Sequence, residues 1–338
     1  MSQDVWNAGV EYQVANNTVV GVNYIHTDLN RTIEDVGSLV NGSEVYLYCN
    51  PGEGLCATAF TTGATAPFPN PKAMRKYDAL ELSINRRFSN NWFLGGSYVL
   101  SRLYGNYAGT VSTDEVAVGG RVSTVAQQQS GQTTRPGSNV TRSWDLDELL
   151  FDSHGNFIEG NLATDRPHVF KLYGNYRFDF GTNVGVNFYA GSGTPISKTV
   201  FTRFGVSPFV DGRGSEGRTD FLSNTDLFLS HDIKLGDRGR LVRLELNVLN
   251  VFNQKQERHV FDYVNRVGAN GRSVNSSRIN TAGVDLTQGY DYNALLAQSP
   301  DAAKPASQNA SGYADPRYLM ADQWNPGFRA RFSVRFLF

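Results

Sequence analysis

Residues 327–338, Gly327-Phe328-Arg329-Ala330-Arg331-Phe332-Ser333-Val334-Arg335-Phe336-Leu337-Phe338, alternate with a period of two. Phe328, Ala330, Phe332, Val334, Phe336 and Phe338 share one phase, and Arg329, Arg331, Ser333 and Arg335 share the other. Successive side chains of a β-strand leave on opposite faces, so this segment has one apolar and one cationic face. The run ends on a Phe instead of leading into a turn. That pattern predicts the closing strand of an outer-membrane β-barrel, apolar towards lipid and polar towards a water-filled lumen. A half-buried strand of a soluble sheet alternates in the same way, so the rest of the chain has to decide.

The chain has 338 residues and a formal net charge of −1, which offers no field for nucleic acid. Its 16 Tyr, 21 Phe and 34 Gly suit a large β architecture. No run of 18 apolar residues exists, and a negative mean hydropathy is compatible with a membrane barrel, where only alternate residues meet lipid. Met1-Ser2-Gln3-Asp4-Val5-Trp6 has no basic segment followed by an apolar core, the pattern of a signal peptide. Because an outer-membrane protein needs one, either the class is wrong or the native start lies elsewhere.

Period-2 alternation marks about nine strands. The first spans roughly 4–14, with Trp6, Ala8, Val10, Tyr12 and Val14 in phase, and the second carries Val20, Val22 and Tyr24. The third runs through Leu80, Leu82 and Ile84 to Phe88, and the fourth holds Trp92, Leu94, Tyr98 and Leu100. Phe170, Leu172, Tyr176 and Phe178 form the fifth; Val184, Val186, Phe188 and Ala190 the sixth. The seventh carries Leu227, Leu229, Ile233 and Leu235, and the eighth Val242, Leu244, Leu246, Val248 and Phe252. Residues 327–338 are the ninth.

Short Asn- or Gly-containing turns alternate with long polar segments near 27–76, 102–166, 192–224 and 254–322. Compact soluble domains rarely contain several such structureless connections, whereas outer-membrane barrels pair short periplasmic turns with long extracellular loops. With Phe338 periplasmic, counting back along the strands places residue 1 outside the cell. Single-chain bacterial barrels have even strand numbers and both ends periplasmic. The chain, residues 1–338, is therefore expected to be the C-terminal part of a larger barrel. Arg86 and His231 fall on the lipid-facing phase. Arg86 is near a short turn, where its stem can reach headgroups. For His231, nearer mid-strand, a register-shifting bulge is the available account.

Cys49 and Cys56, the only cysteines, lie in the first long loop, where an oxidising exterior favours a local disulfide over a two-thiol metal site. Gly212-Arg213-Gly214-Ser215-Glu216-Gly217 matches the spacing of a dinucleotide loop, but without a flanking strand and helix it reads as a flexible loop. Asp145, Asp147, Glu148 and Asp152 lack the spacing of a calcium loop and read as a solvated acidic loop. The histidines form no metal-binding pair, and no nucleophile elbow is present. No catalysis, cofactor or metal is expected. Loop aromatics such as Tyr104, Tyr107, Trp144, Tyr290, Tyr292, Tyr313 and Tyr318 fit a ligand-binding rim and loop packing equally well.

Several stretches resemble the C-terminal half of TonB-dependent outer-membrane receptors of the Oar-like branch, whose members carry a carboxypeptidase-regulatory-like N-terminal domain. They are 95–101 (GGSYVLS), 105–109 (GNYAG), 165–174 (DRPHVFKLYG), 191–195 (GSGTP), 244–253 (LELNVLNVFN) and the Phe-terminated tail. The resemblance implies an all-β, antiparallel transmembrane barrel of the 22-stranded, plugged type. It further implies that Phe332, Val334, Phe336 and Phe338 match the signal read by the outer-membrane barrel assembly machinery, with the barrel wall in lipid. By the same resemblance, the plug and the segment coupling to TonB–ExbB–ExbD are expected to lie outside residues 1–338. The function implied is a share in energy-coupled uptake of a scarce siderophore, saccharide or peptide, with adhesion or secretion as the alternative and an outer-membrane enzyme as a weaker one. The implied location is the outer membrane, with long loops extracellular and the C-terminus periplasmic. No residue is assigned to the ligand.

Overall fold

The computed structural model describes residues 1–40, 43–59, 67–109, 143–204, 206–236, 240–265, 278–299 and 314–338. Its strands are β1 (Ser2–Ala15), β2 (Thr18–Arg31), β3 (Glu34–Val40), β4 (Ser43–Cys49), β5 (Arg75–Ser89), β6 (Trp92–Gly105), β7 (Gly160–Asn161) and β8 (His168–Arg177). They continue with β9 (Thr182–Gly191), β10 (Leu222–Lys234), β11 (Leu241–Leu249), β12 (Glu257–Val260), β13 (Ala321–Trp324) and β14 (Arg329–Leu337). The main sheet is an antiparallel meander in the order β1-β2-β5-β6-β8-β9-β10-β11-β14, with β7 beside β6. Its members coincide with the strands predicted by alternation. The sheet is open, with β1 and β14 as its edges.

Directly paired residues share a face, so the ladders carry one apolar surface across the sheet. One row reads Trp92, Tyr176, Val184, Leu229, Leu246 and Phe332. Another reads Tyr12, Val20, Ile84, Gly96, Leu172 and Phe188. This surface is uncovered: Trp6 is 70% exposed and Phe332 65%. A patch that extends over nine strands is incompatible with water and suits hydrocarbon. Along β6, Arg102 lies ten residue steps beyond Trp92. At about 3.3 Å per residue and a tilt of roughly 45°, they span about 23 Å, close to the apolar band of such barrels. Aromatic rings crowd the short-turn end, where Tyr176–Phe178 and Phe178–Phe180 centroids lie 4.7 and 5.1 Å apart. Among the described residues no helix is long and apolar enough to cross a membrane.

The buried core lies elsewhere, in the long connections. Tyr107 and Trp144 are 0% and 1% exposed and pack with Leu29, Val36, Phe68 and Phe151. Separate clusters form around Val200, Val210, Ile279 and Leu296, and around Phe201, Phe261 and Tyr263. The hairpin β3–β4 and the pair β12–β13 belong to this folded layer. The expectation of structureless loops is therefore corrected. Scattered aromatics in a polar sequence have no period, and they meet only through long-range packing.

Two smaller corrections follow from geometry. His231 keeps the regular register of β10, opposite Thr182 and Leu244, with no bulge. Thr182 is the first residue of β9, so His231 sits at the short-turn end, where its Nδ1 lies 2.8 Å from Thr182 Oγ1. Phe252 is outside the eighth strand, because Asn250 (φ 51°) takes a left-handed conformation just after β11. Arg86 stacks 3.9 Å above the Trp92 ring and donates to the Ser89 carbonyl at 3.3 Å, which holds its charge at the turn.

Candidate functional site

The face opposite the apolar surface is polar, and its charges are arranged unevenly. Towards the short turns, Arg243 forms a bidentate pair with Asp232 (2.6 and 2.8 Å), and Arg335 meets Glu245 at 3.0 Å. Directly opposite cross-strand partners bring Arg243 to Asp232, while Glu245 is buried between strands at 5% exposure. These cations are neutralised by the wall itself.

Towards the long connections the same face opens into a recess of about 460 Å³. Tyr189 of β9, Asn224 and Asp226 of β10, Leu249 of β11 and Arg329 of β14 form its floor by the phase of their strands. Arg166, Asn250, Arg258 and Asn325 reach it from the connections. A second recess of about 350 Å³ continues along the wall and shares Asp226 and Leu249 with the first. Its lining includes Phe93, Tyr173 and Phe228. Gly95 makes room for the Tyr173 ring, which would lie 2.3 Å from a Cβ at that position.

The segments that resemble receptors act here as fasteners. Asp165 is 1% exposed; its Oδ1 accepts from Leu103 N at 2.6 Å, and its Oδ2 pairs with the Arg218 guanidinium. Arg218 also donates to the carbonyls of Asp165 (2.9 Å) and Gly193 (3.1 Å). This joins the end of β6, the approach to β8 and the connection after β9, and leaves the next residue, Arg166, at the recess. Asn250 accepts from Gln254 N at 2.9 Å and donates to the carbonyls of Gln254 (2.9 Å) and Pro326 (2.8 Å). Asn253 Oδ1 accepts from Phe328 N at 3.0 Å, which locks the exit of β11 to the entry of β14.

The residues singled out in the sequence fall in different places. Cys49 and Cys56 are bonded, with Cα atoms 6.1 Å apart, and Cys56 is buried in the loop core. Phe332, Val334 and Phe336 lie on the exposed apolar phase of β14, opposite the recess, and the exposed Phe338 follows directly after the strand. Gly212, Gly214 and Gly217 have φ of 81°, 73° and 85° in a hydrogen-bonded turn, with Gly214 N donating to Ser197 Oγ at 2.9 Å. The acidic group is largely buried, not solvated: Asp152 accepts from His154 N and Asn156 N, both at 2.9 Å, and Glu148 from Thr281 Oγ1 at 2.6 Å. Burial, then repulsion from Glu148, pushes the Asp147 carboxyl up to about 7. Among the described residues no cluster of His, Cys, Asp or Glu is arranged to hold a metal ion. Tyr107 and Trp144 pack in the loop core, Tyr104 donates to Glu159 at 3.1 Å, and Tyr313 lies outside the described residues.

No family model matches the chain. It is 30% identical over 258 residues to the TonB-dependent transporter Oar of Myxococcus xanthus, a match that covers 75% of the chain and 21% of that protein. The chain thus spans about a fifth of the relative's length. The outer membrane transporter YddB of Escherichia coli superposes with a TM-score of 0.46 at 12% identity, over 77% of this chain and 30% of that one. The assignment rests on the sequence match. The chain is thus similar, over three quarters of its length, to a part of the TonB-dependent transporter Oar, and its fold is an antiparallel sheet with one uncovered apolar face and one polar wall.

Proposed function

We propose that this chain forms part of the barrel wall of an outer-membrane transporter that takes up a scarce solute with energy supplied through TonB. The single observation that carries the reading is the division of the sheet into an uncovered apolar face and a polar face with open recesses. In this reading the free edges of β1 and β14 pair with further strands of a larger barrel, of the 22-stranded type in its relatives. The folded long connections face the exterior and the short turns the periplasm. Phe332, Val334, Phe336 and Phe338 meet lipid and present the signal for barrel assembly. The polar wall lines the solute's path. In this reading the role of the wall is conduction.

The orientation is tested by single cysteines placed at Asn90 and at Ser215 in a chain whose own cysteines are both changed to serine. On intact cells a membrane-impermeant maleimide should label the Ser215 site alone. Labelling of both sites, or of Asn90 alone, would sink the proposed orientation. The uptake itself is tested by depletion of components from a defined medium by cells with and without the chain, in TonB-positive and TonB-negative backgrounds. Depletion that needs both supports the reading. Lost cell attachment with unchanged depletion would favour the adhesive alternative.

A further inference from the structure

We infer that the recess at Arg166, Arg258 and Arg329 recognises a small solute through an oxyanion, a carboxylate or a phosphate. The inference rests on the uptake reading and names the ligand class of the same wall.

Three guanidinium groups line this recess against one carboxylate, Asp226. That carboxylate is already supplied with donors: Asn224 Nδ2 at 2.7 Å, the Asn250 backbone N–H at 2.9 Å and Asn187 Nδ2 at 3.5 Å. The amides of the recess are committed too. Asn250 donates to the carbonyls of Gln254 and Pro326, and Asn325 Nδ2 to Gln256 Oε1 at 2.9 Å. Arg166 gives one nitrogen to the Ser192 carbonyl. Among the described residues neither Arg258 nor Arg329 has a carboxylate partner, in contrast to Arg243 and Arg335 on the same wall.

Beside the Tyr189 hydroxyl, the unspent side-chain donors of this region are therefore cationic and planar. A guanidinium presents a fork of N–H donors that matches a carboxylate or a phosphate bidentately, and it stays charged at any working pH. The volume lies within the range of about 300–1,000 Å³ typical of small-molecule sites. The adjoining recess adds the rings of Phe93, Tyr173 and Phe228, which offer apolar contact to the body of a ligand held by its anionic end. A neutral saccharide would leave the two unpaired arginines without a counter-charge. The attraction should weaken with added salt, since the arginines are solvent-accessible.

The test uses the whole chain in outer membranes, with citrate, tripolyphosphate and neutral maltotriose as probes. Phenylglyoxal modification of individual arginines is followed by mass spectrometry. Citrate, tripolyphosphate or both should slow modification of Arg258 and Arg329 severalfold, leave Arg335 unchanged, and be displaced by salt. Protection by citrate alone assigns a carboxylate ligand, and protection by tripolyphosphate alone a phosphate. Arg258→Gln with Arg329→Gln should weaken binding of the protecting anion by about tenfold or more. Absence of protection by both anions, equal protection by maltotriose, or unchanged affinity in the double variant overturns the inference. Protected arginines in a chain whose presence leaves solute depletion independent of TonB count against the uptake reading alone. Unprotected arginines in a chain with TonB-dependent uptake count against the ligand class alone.

Discussion

Asp165→Ala should loosen the junction of β6, β8 and the connection after β9 more than any surface change. The substitution leaves the buried Leu103 N–H without its acceptor at 2.6 Å, a loss of about 1–3 kcal/mol. It also removes the carboxylate facing Arg218, a charge-assisted bond worth about 1.5–3 kcal/mol. Arg218 keeps the carbonyls of Gly193 and residue 165 as acceptors and is 28% exposed, so the second contribution is reduced. Together they amount to about 2–4 kcal/mol, which corresponds to roughly 30- to 700-fold in a local opening equilibrium. Amide hydrogen exchange read on peptides covering 100–108 and 160–168 measures that opening. Asp165→Asn retains an oxygen for Leu103 N–H and should fall between the wild type and the alanine variant. Combining Asp165→Ala with Arg218→Met should produce less than the sum of the two single effects. Exchange in Asp165→Ala within threefold of the wild type, or strict additivity with Arg218→Met, would refute the reasoning.

Glu34 is buried in the loop core, and that burial pushes its carboxyl from 4.5 up to about 7, against the hydrogen bond from Tyr107 and with repulsion from Asp35 and Asp145. The folded state then holds more protons than the unfolded one between about 4.5 and 7, so the β3–β4 layer should lose protection as pH rises through that window. Hydrogen exchange in Glu34→Gln should have no such slope; the same slope in both proteins would assign it to another group. The Cys49–Cys56 bond closes a separation of 7 residues, worth about 2.5 kcal/mol by loop entropy. Reduction should raise chymotryptic cleavage beside Leu55 by tens of fold, and equal cleavage with and without reductant would contradict this. Gly193→Ala places a Cβ 1.8 Å from the Thr219 carbonyl oxygen, a backbone atom that cannot rotate away. It should cost about 2 kcal/mol or more, against about 1 kcal/mol for Gly217→Ala, where only the positive φ is at stake. Thermal unfolding of the two variants checks the order, and equal midpoints would remove the steric argument.

The membrane-facing half of this protein was legible because lipid imposes a simple rule. Along β14, Phe332, Val334 and Phe336 must share a phase, and alternation over a few residues reveals it without knowledge of any partner strand. The same rule made His231 look misplaced, since the sequence does not show that it sits opposite Thr182 at the end of a strand. The long connections were illegible for the opposite reason. Leu29, Phe68, Tyr107 and Trp144 come from distant segments and are buried in one cluster without any repeat in spacing.

The recess shows the same division. Arg329 was visible as one arginine on the polar phase of β14, and Asp165-Arg166 and Asn250 as parts of the segments that resemble the receptors. Nothing in their order along the chain brings Arg166, Arg258 and Arg329 to one cavity, because that depends on strand register and on the fasteners at Asp165 and Asn250. The sequence by itself determined which face of each strand meets lipid, since a two-residue period is a local property of the backbone. Only the tertiary structure decided which arginines of the polar face, among the described residues, are neutralised by a carboxylate and which are not, since ion pairing depends on distances between segments far apart in the chain.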